Sequence, residues 1–304
     1  MAEYAFVNKQ VVPLADAKVG IMTHALHYGT ACFEGLRGNW NSDKEQLYIF
    51  RIRDHFSRLH RSCRVMKIDL PYSVEELCKL TIDLAQKNGY REDVYIRPLA
   101  YKSSESIGVK LHDLQDDLLI FIAPFGDYLD ITNGIRCGVS SWRRLDDNMI
   151  PPRAKIAGSY VNSALAKTEA HEHGYDEAIL LNQDGHVCEG SGENIFLVQG
   201  DKLITPLPSD NILVGITRDT VIKLAKSELG IDTVERQIGR AELYTSDECF
   251  LTGNAARVAP VIEIDHRKVG IGGIGRITKE LQRLHLEVVR GESSKYMDWC
   301  NPVY

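Results

Sequence analysis

A segment dense in turn-forming residues interrupts the chain from Pro124 to Gly134. Its Gly, Asp, Asn and Pro residues follow no helical or strand period, which is typical of a loop. With 304 residues the chain is long for one hydrophobic core and suits two domains. We therefore predict a smaller domain over 1–124, an interdomain loop over 125–134 and a larger domain over 135–304.

The composition is that of a soluble globular protein, with 44% hydrophobic and 26% charged residues. A net charge of −6 argues against nucleic acid and anionic membranes as partners and favours small molecules or other subunits. The seven cysteines are scattered and form no Cys-x-x-Cys pair, so they support neither a disulfide framework nor a zinc site. The start of the chain lacks the features of a signal peptide, and no apolar run is long enough to cross a bilayer. These features predict a cytoplasmic protein.

Two amphipathic helices are predicted in the first domain. One follows Asp54 as N-cap and buries a stripe of apolar residues, with Arg58 and Arg61 pointing away from it. The stripe comprises Phe56, Leu59, Cys63 and Met66. The other helix begins at the capping box that opens at Ser73 and ends at Gly89. Strands are predicted at Val94 to Tyr101, where Pro98 limits regularity, and at Leu118 to Ala123.

The second domain alternates short strands with two helices, a pattern typical of a mixed α+β fold. One helix is predicted from Ser159 to His173, with one apolar face and a glycine cap; the other enters from Leu213 and ends at Gly230. The face of the first comprises Val161, Ala164, Leu165 and Thr168. That of the second comprises Val221, Ile222, Ala225 and Leu229. Strands are predicted at 135–140, 176–181, 186–189, 194–198 and 248–251.

Lys155 and Glu189 are the residues whose chemistry stands out. A lysine followed by small residues suits a cramped site as a nucleophilic amine, and a carboxylate in a glycine-rich loop can approach a planar ligand. The pair suggests a Schiff-base enzyme, although two residues so far apart are more often surface charges.

Three further segments have both a functional and an ordinary interpretation. Gly215-Ile216-Thr217 at a helix start suits a phosphate, but Thr217 is equally explained as an N-cap. Gly253-Asn254-Ala255 suits an anion such as a carboxylate, or is a plain turn. Tyr95 and Arg97 share a strand face and suit a substrate carboxylate, or a cross-strand ion pair. The histidine pairs 24/27 and 171/173 suggest no third ligand, so we predict no metal site.

Taken in order, these segments closely resemble the branched-chain amino acid aminotransferases of fold-type IV, a pyridoxal-phosphate (PLP) family that also contains D-amino acid aminotransferase and aminodeoxychorismate lyase. The resemblance covers most of the chain. It is carried by His24 to Arg37, Phe50 to His60, Tyr95 to Pro98, Lys155 to Tyr160, Glu189 to Phe196, Gly215 to Arg218 and Gly253 to Ala256. It implies a small α/β domain followed by a larger PLP-binding domain with a barrel-like sheet.

The resemblance also implies roles for individual residues. Lys155 is implied to bind PLP as a Schiff base and then to move the substrate proton, while Glu189 pairs with the pyridine nitrogen. Tyr160 is implied to lie near the phenolic oxygen. The phosphate is implied to contact Arg58, Ile216, Thr217 and Asn254. The substrate is implied to contact Tyr28, Phe33, Arg37, Tyr95, Arg97, Ile107, Val109, Tyr128 and Ala255, with the loop at 107–109 supplied by a neighbouring subunit.

Reaction type is better defined by the resemblance than substrate range. Asn254 stands where many members have Thr, Arg257 where an acidic residue is usual, and Ser103 to Ser106 also departs from the pattern. The favoured hypothesis is transfer of the amino group from L-Leu, L-Ile and L-Val to 2-oxoglutarate by a homodimer or a trimer of dimers. The alternatives are a D-amino acid or (R)-amine transaminase, an aminodeoxychorismate lyase, or a non-catalytic binding module of the same fold.

Overall fold

The computed structural model describes residues 3–304, which form two compact units. A short segment containing Lys155 and the C-terminal end of the chain fold with the first unit rather than with their sequence neighbours. The first unit comprises the residues up to Gly126, Ala154–Gly158 and Glu287–Tyr304. The second comprises Asp127–Arg153 and Ser159–Leu286.

In chain order, the strands are β1 (Tyr4–Val7), β2 (Gln10–Pro13), β3 (Ala31–Phe33), β4 (Leu36–Asn41), β5 (Gln46–Phe50), β6 (Val94–Lys102), β7 (Asp116–Pro124), β8 (Ile135–Arg143), β9 (Glu177–Leu181), β10 (Val187–Gly190), β11 (Asn194–Gln199), β12 (Lys202–Thr205), β13 (Thr233–Glu235), β14 (Glu248–Gly253), β15 (Arg257–Ile264), β16 (Arg267–Lys268) and β17 (Cys300–Pro302). The helices are α1 (His24–Tyr28), α2 (Ile52–Val65), α3 (Val74–Asn88), α4 (Tyr160–Glu172), α5 (Ile216–Leu229) and α6 (Arg276–Val289). The strands predicted from sequence are all confirmed, several of them longer than predicted.

The first unit contains an eight-stranded sheet in the order β17-β5-β4-β6-β7-β1-β2, with β3 also paired to β6. Strands β3 and β4 pair with successive parts of β6, from Phe33 opposite Leu99 to Leu36 opposite Ile96. Pro98 lies where these two pairings meet, so its missing N–H interrupts neither ladder. This explains how a nine-residue strand accommodates the proline.

The two predicted helices of the first unit are present as α2 and α3. Helix α3 has the predicted capping box at Ser73 and ends at Gly89 in the left-handed region. The predicted N-cap of α2 was wrong: Arg51 is the N-cap, and Asp54 lies in the first turn. The prediction that Arg58 points away from the apolar stripe was also wrong, because Arg58 lies on the buried side of α2 with Phe56.

The second unit is built around a closed sheet. Strands β10, β9, β8, β15, β14 and β11 follow one another, and β10 pairs with β11 to complete a six-stranded barrel. Its core is a single cluster of alternating inward-facing residues that includes Ile179, Ile195, Leu251 and Val261. The predicted barrel-like sheet and mixed α+β class are confirmed.

Helix α4 is present, but the predicted buried face was wrong. Val161 is 64% and Leu165 is 41% exposed, whereas Ser163, Ala166 and Ala170 are buried. The two alanines pack with Ala178 and Leu180 of β9. Small side chains form this face because the helix lies close against the sheet.

Helix α5 begins two residues earlier than an N-cap at Thr217 requires. Gly215 is the N-cap, and Thr217 is the second helical residue and is buried. The ordinary interpretation of Thr217 as a cap was therefore wrong. Of the predicted apolar face, Val221 and Ala225 are fully buried, while Ile222 and Leu229 are partly buried, and Gly230 ends the helix as predicted.

Candidate active site

Lys155 lies against β3 and α2 within the first unit. Its backbone N–H donates to Oγ of Ser62 at 3.0 Å, and its carbonyl accepts from the N–H of Phe33 at 3.0 Å. Its Nζ lies 4.9 Å from the centre of the Phe33 ring. The small residues that follow have a structural reason, because a Cβ on Gly29 would lie 2.7 Å from the Cα of Gly158.

Arg58 is held by a buried carboxylate. Its Nε donates to Oε1 of Glu34 at 2.7 Å and its Nη2 to Oε2 at 2.8 Å, a two-pronged ion pair. Nδ1 of His55 donates to the same carboxylate at 2.7 Å. Burial alone would raise the pKa of Glu34, but Arg58 and His55 outweigh it and hold that pKa well below its usual range. Burial lowers the pKa of His55, so this imidazole stays neutral.

Tyr95 and Arg97 share one face of β6, as predicted. Nη2 of Arg97 donates to the Tyr95 hydroxyl at 2.8 Å, and the guanidinium carbon lies 4.4 Å from the centre of the Phe33 ring. A Cβ on Gly35 would come within 2.1 Å of the Tyr95 hydroxyl, so only glycine fits beside it. Phe33 thus contacts both Arg97 and Lys155, which brings a cation and an amine around one ring.

The other proposed substrate residues of the first unit differ in exposure. Ile107 is 81% and Val109 is 90% exposed, on a loop fixed at Gly108. The N–H of Gly108 donates to the hydroxyl of Tyr28 at 3.2 Å, and its carbonyl accepts from Nε2 of His24 at 2.8 Å. The loop therefore presents two apolar side chains from a fixed base.

Arg37 is buried rather than presented at a surface. It donates to the carbonyls of Phe125 and Gly126 at 3.0 and 3.1 Å and lies 3.6 Å from a carboxylate oxygen of Asp93. These contacts hold the end of β7 against β4. A direct contact between Arg37 and substrate stays a prediction.

Glu189 is a buried carboxylate of the second unit that faces two N–H donors and the guanidinium of Arg144. Nη2 of Arg144 lies 2.8 Å from Oε1, while Nδ2 of Asn194 and the N–H of Leu213 donate to Oε2 at 3.0 and 3.1 Å. Such donors favour the charged form of a carboxyl group. Sequence reasoning missed Arg144, whose only signal is its place at the end of a strand, and quoted Asn194 without giving it a role.

The N-terminus of α5 meets the turn that follows β14. The Thr217 hydroxyl donates to Oδ1 of Asn254 at 2.9 Å, which joins two of the proposed phosphate residues. Gly215 supplies no capping side chain, and the positive end of the helix dipole favours an anion there. Ile216 is buried beside Thr217, Ala255 is half-buried in the turn, and Tyr160 is the half-buried first residue of α4.

Arg257 closes the turn that carries Asn254 and Ala255. It has a φ of 57°, in the left-handed region, and its Nη1 lies 3.4 Å from Oδ1 of Asp127. Asp127 immediately precedes Tyr128, a proposed substrate residue that is 46% exposed. The unusual arginine therefore ties the Tyr128 segment to the proposed carboxylate turn.

Glu193, in the loop that follows Glu189, forms a buried acidic pair with Glu177. Burial raises the pKa of Glu193 to about 8, with a further contribution from the negative charge of Glu177. Glu177 is itself fully buried and pairs with Lys167, whose Nζ lies 5.5 Å from the centre of the Tyr128 ring. Glu193 is therefore predominantly neutral at pH 7.

The candidate site residues are divided between the two units. The first holds an amine at Lys155 and cations at Arg58 and Arg97; the second holds the carboxylate of Glu189 and the helix end at Thr217. Among residues 3–304, no group of three His, Cys, Asp or Glu side chains is arranged to hold a metal ion. Over the same range, no helix has the length and apolar character needed to cross a membrane.

Residues 31–264 match the family model of the class IV aminotransferases. A probable branched-chain-amino-acid aminotransferase of Aquifex aeolicus is 54% identical over 302 residues, which cover 99% of this chain and 97% of that protein. The branched-chain aminotransferase of Thermoproteus uzoniensis, solved with norvaline, superimposes with a TM-score of 0.95 at 44% identity and full coverage of both chains. That of Thermobaculum terrenum in its PLP form has a TM-score of 0.95 at 39% identity, covering 100% of this chain and 99% of that one.

Proposed function

The chain belongs to the class IV aminotransferases, and from this premise we propose that it transfers the amino group of L-leucine, L-isoleucine and L-valine to 2-oxoglutarate. The products are branched-chain 2-oxo acids and L-glutamate, and the reaction is reversible. The enzyme depends on PLP. The observation that carries the substrate class is the 54% identity, over nearly the whole chain, to a protein named for this activity.

The residues present fit PLP by the chemistry of their donors. A buried carboxylate that accepts two N–H hydrogen bonds and forms an ion pair with an arginine suits a protonated ring nitrogen. An amine beside an aromatic ring suits a covalent carbonyl partner. A helix N-terminus with an adjoining hydroxyl and amide suits a phosphate. We assign Lys155, Glu189 and Tyr160 to the cofactor ring and its substituents. The phosphate is assigned to Arg58, Ile216, Thr217 and Asn254.

Bound PLP supplies an electron sink that stabilises negative charge at the substrate Cα. The chain's own residues then bind, orient and move protons. Lys155 would act as the base that takes the proton from the substrate Cα and delivers it to the cofactor carbon that receives the amino group. Glu189 holds the proton on the ring nitrogen. Glu34 holds the guanidinium of Arg58 in a fixed plane, which presents it to the phosphate in one orientation.

Two kinds of substrate must use the same site in turn. Tyr28, Phe33, Ile107, Val109 and Tyr128 are assigned to an apolar wall that accepts branched side chains. Arg97, with Tyr95 and the main chain at Ala255, is assigned to carboxylates, including the second carboxylate of glutamate. Arg37 is assigned to this region indirectly, because it holds the end of β7 against β4. We also propose that the enzyme is cytoplasmic and at least a homodimer, with a trimer of dimers as the larger assembly.

A half-reaction panel tests the assignment. The PLP-loaded enzyme is mixed with single L-amino acids, D-amino acids and (R)-amines, and the loss of the visible PLP absorbance is followed. We expect fast reaction with L-leucine and none with D-alanine, and the reverse result would identify a D-amino acid transaminase. Lys155→Ala should abolish transfer while the circular dichroism spectrum stays that of the wild type. A chain that takes up no PLP would be a binding module.

A further inference from the structure

Arg144 is a charged side chain in direct contact with the carboxylate of Glu189. It follows β8 directly, and its N–H donates to the carbonyl of Leu181 at 2.9 Å, which fixes its backbone. Its Nη2 lies 2.8 Å from Oε1 of Glu189. The two side chains are only 8% and 6% exposed, so water screens this pair little.

The contacts on the carboxylate are divided between its two oxygens. Oε2 accepts hydrogen bonds from the neutral donors Asn194 Nδ2 and Leu213 N, whereas Oε1 forms an ion pair with Nη2 of Arg144. Asn194 is itself fixed, since its Nδ2 also donates to the carbonyl of Leu213 at 2.8 Å. A buried carboxylate with neutral donors alone would already be oriented. The arginine therefore adds charge rather than merely orientation.

The charge has a consequence for a proton shared between Glu189 and a ring nitrogen. If the proton moves from nitrogen to the carboxylate, the buried arginine loses its anionic partner, which is costly. Arg144 is in direct contact with the carboxylate, so it favours the state with the proton on nitrogen and the negative charge on Glu189. The neighbouring Glu193 is predominantly neutral at pH 7, and Glu177 and Lys167 lie beside it. Burial raises the pKa of the Cys188 thiol, which also lies near Arg143 and Asp210.

We propose that Arg144 is a positioning residue that keeps the PLP ring nitrogen protonated by stabilising the charge of Glu189. The inference rests on the proposed function, since it needs PLP to bind at Glu189. It predicts that the electron-accepting capacity of the cofactor depends on a residue that does not touch it. Loss of Arg144 should therefore slow the step that removes the Cα proton and should leave substrate binding little changed.

The test is the ¹⁵N chemical shift of the ring nitrogen in enzyme loaded with ring-¹⁵N-labelled PLP, at one neutral pH. The wild type should give a protonated nitrogen. In Arg144→Met and in Arg144→Gln, the shift should move toward that of unprotonated pyridine, and kcat for L-leucine should fall roughly tenfold or more with KM little changed. Arg144→Gln can still donate a hydrogen bond, so it tests charge with less risk to folding.

Two controls separate this role from a structural one. Arg143→Met removes the adjacent, exposed arginine and should leave the shift unchanged. In a Glu189→Gln background, Arg144→Gln should cause no further change in the shift, because the charge it stabilises is gone. A wild-type shift in Arg144→Gln, or an equal change in both backgrounds, would overturn the proposal. Failure of the proposed function is distinct, because the wild type itself would then bind no PLP.

Discussion

Glu34 and Glu193 are both buried carboxyl groups, and their surroundings shift their pKa values in opposite directions. Glu34 receives N–H donors from Arg58 and His55, whereas Glu193 faces the negative charge of Glu177 and accepts one N–H, that of Gly192 at 3.1 Å. One group is thus stabilised as a charge and the other as a neutral acid. These two environments make different predictions for stability.

Glu34→Gln should destabilise the protein at pH 7 by about 3–5 kcal/mol, because it leaves the buried Arg58 without its counter-charge. The folded-state pKa of Glu34 is lowered, so its stabilisation is present above its ordinary pKa of 4.5 and is lost as the pH falls below that value. The difference in free energy of unfolding between wild type and variant should therefore become smaller under acid conditions. Urea unfolding at several pH values measures it.

Glu75→Gln is the matched control for Glu34→Gln. Glu75 also pairs with an arginine, Arg53, but both side chains are more than 60% exposed. Exposed pairs contribute little, so this variant should unfold close to the wild type. Equal losses in the two variants would show that the charge of Glu34 is not specially stabilised.

Glu193→Gln should have the opposite dependence on pH. The folded pKa is raised to about 8, so ionisation of Glu193 in the unfolded chain penalises folding progressively as the pH rises from 4.5 to 8. The amide avoids this penalty. The free energy of unfolding of the variant should therefore exceed that of the wild type by more than about 1 kcal/mol at pH 8. Thermal unfolding from pH 5 to 8 measures the trend, with the exposed Glu172→Gln as control. A gain that does not grow with pH contradicts the assignment.

Sequence prediction of the helices was accurate where the contacts that determine them are local in sequence, and failed where those contacts are distant. Helix α3 was predicted well because its capping box lies within four residues of sequence. The start of α2 was missed because Arg51 adopts a φ of 48° while its N–H donates to the carbonyl of Trp299 at 2.7 Å, nearly the whole chain away. Arg144 was missed for the same reason, since its partner Glu189 is on another strand.

Helix α4 shows a second limit of sequence prediction. Its larger apolar residues were taken to mark the buried face, but small residues form that face. Ala166→Leu should overpack the contact with Ala178 and cost about 1–3 kcal/mol. Thr168→Leu makes a similar addition at an exposed position of the same helix and should change stability by less than about 0.5 kcal/mol. Thermal unfolding of both variants compares the faces. A larger loss in Thr168→Leu would restore the face predicted from sequence.

The two compact units interleave along the chain, which sequence patterning does not reveal. Strand β17 pairs with β5, and Val303 is buried with its N–H donating to the carbonyl of Leu47 at 3.0 Å. A chain shortened by its last five residues should therefore lose stability in the first unit, with its midpoint lowered by roughly 5 °C or more. Differential scanning calorimetry tests this, and an unchanged midpoint would contradict it. Removal of Tyr304 alone is the milder control.

The exposed loop at Ile107 and Val109 supports the proposal that the chain self-associates. Two large apolar side chains on a loop anchored by His24 and Tyr28 are costly to leave in water, and burying each is worth about 1.5 kcal/mol or more. Val109→Asp should therefore weaken self-association and raise KM for L-leucine together, measured by analytical ultracentrifugation and steady-state kinetics. Ile271→Asp alters an equally exposed apolar residue of the second unit and should change neither. If both substitutions weaken association alike, the loop is not the contact that a second copy covers.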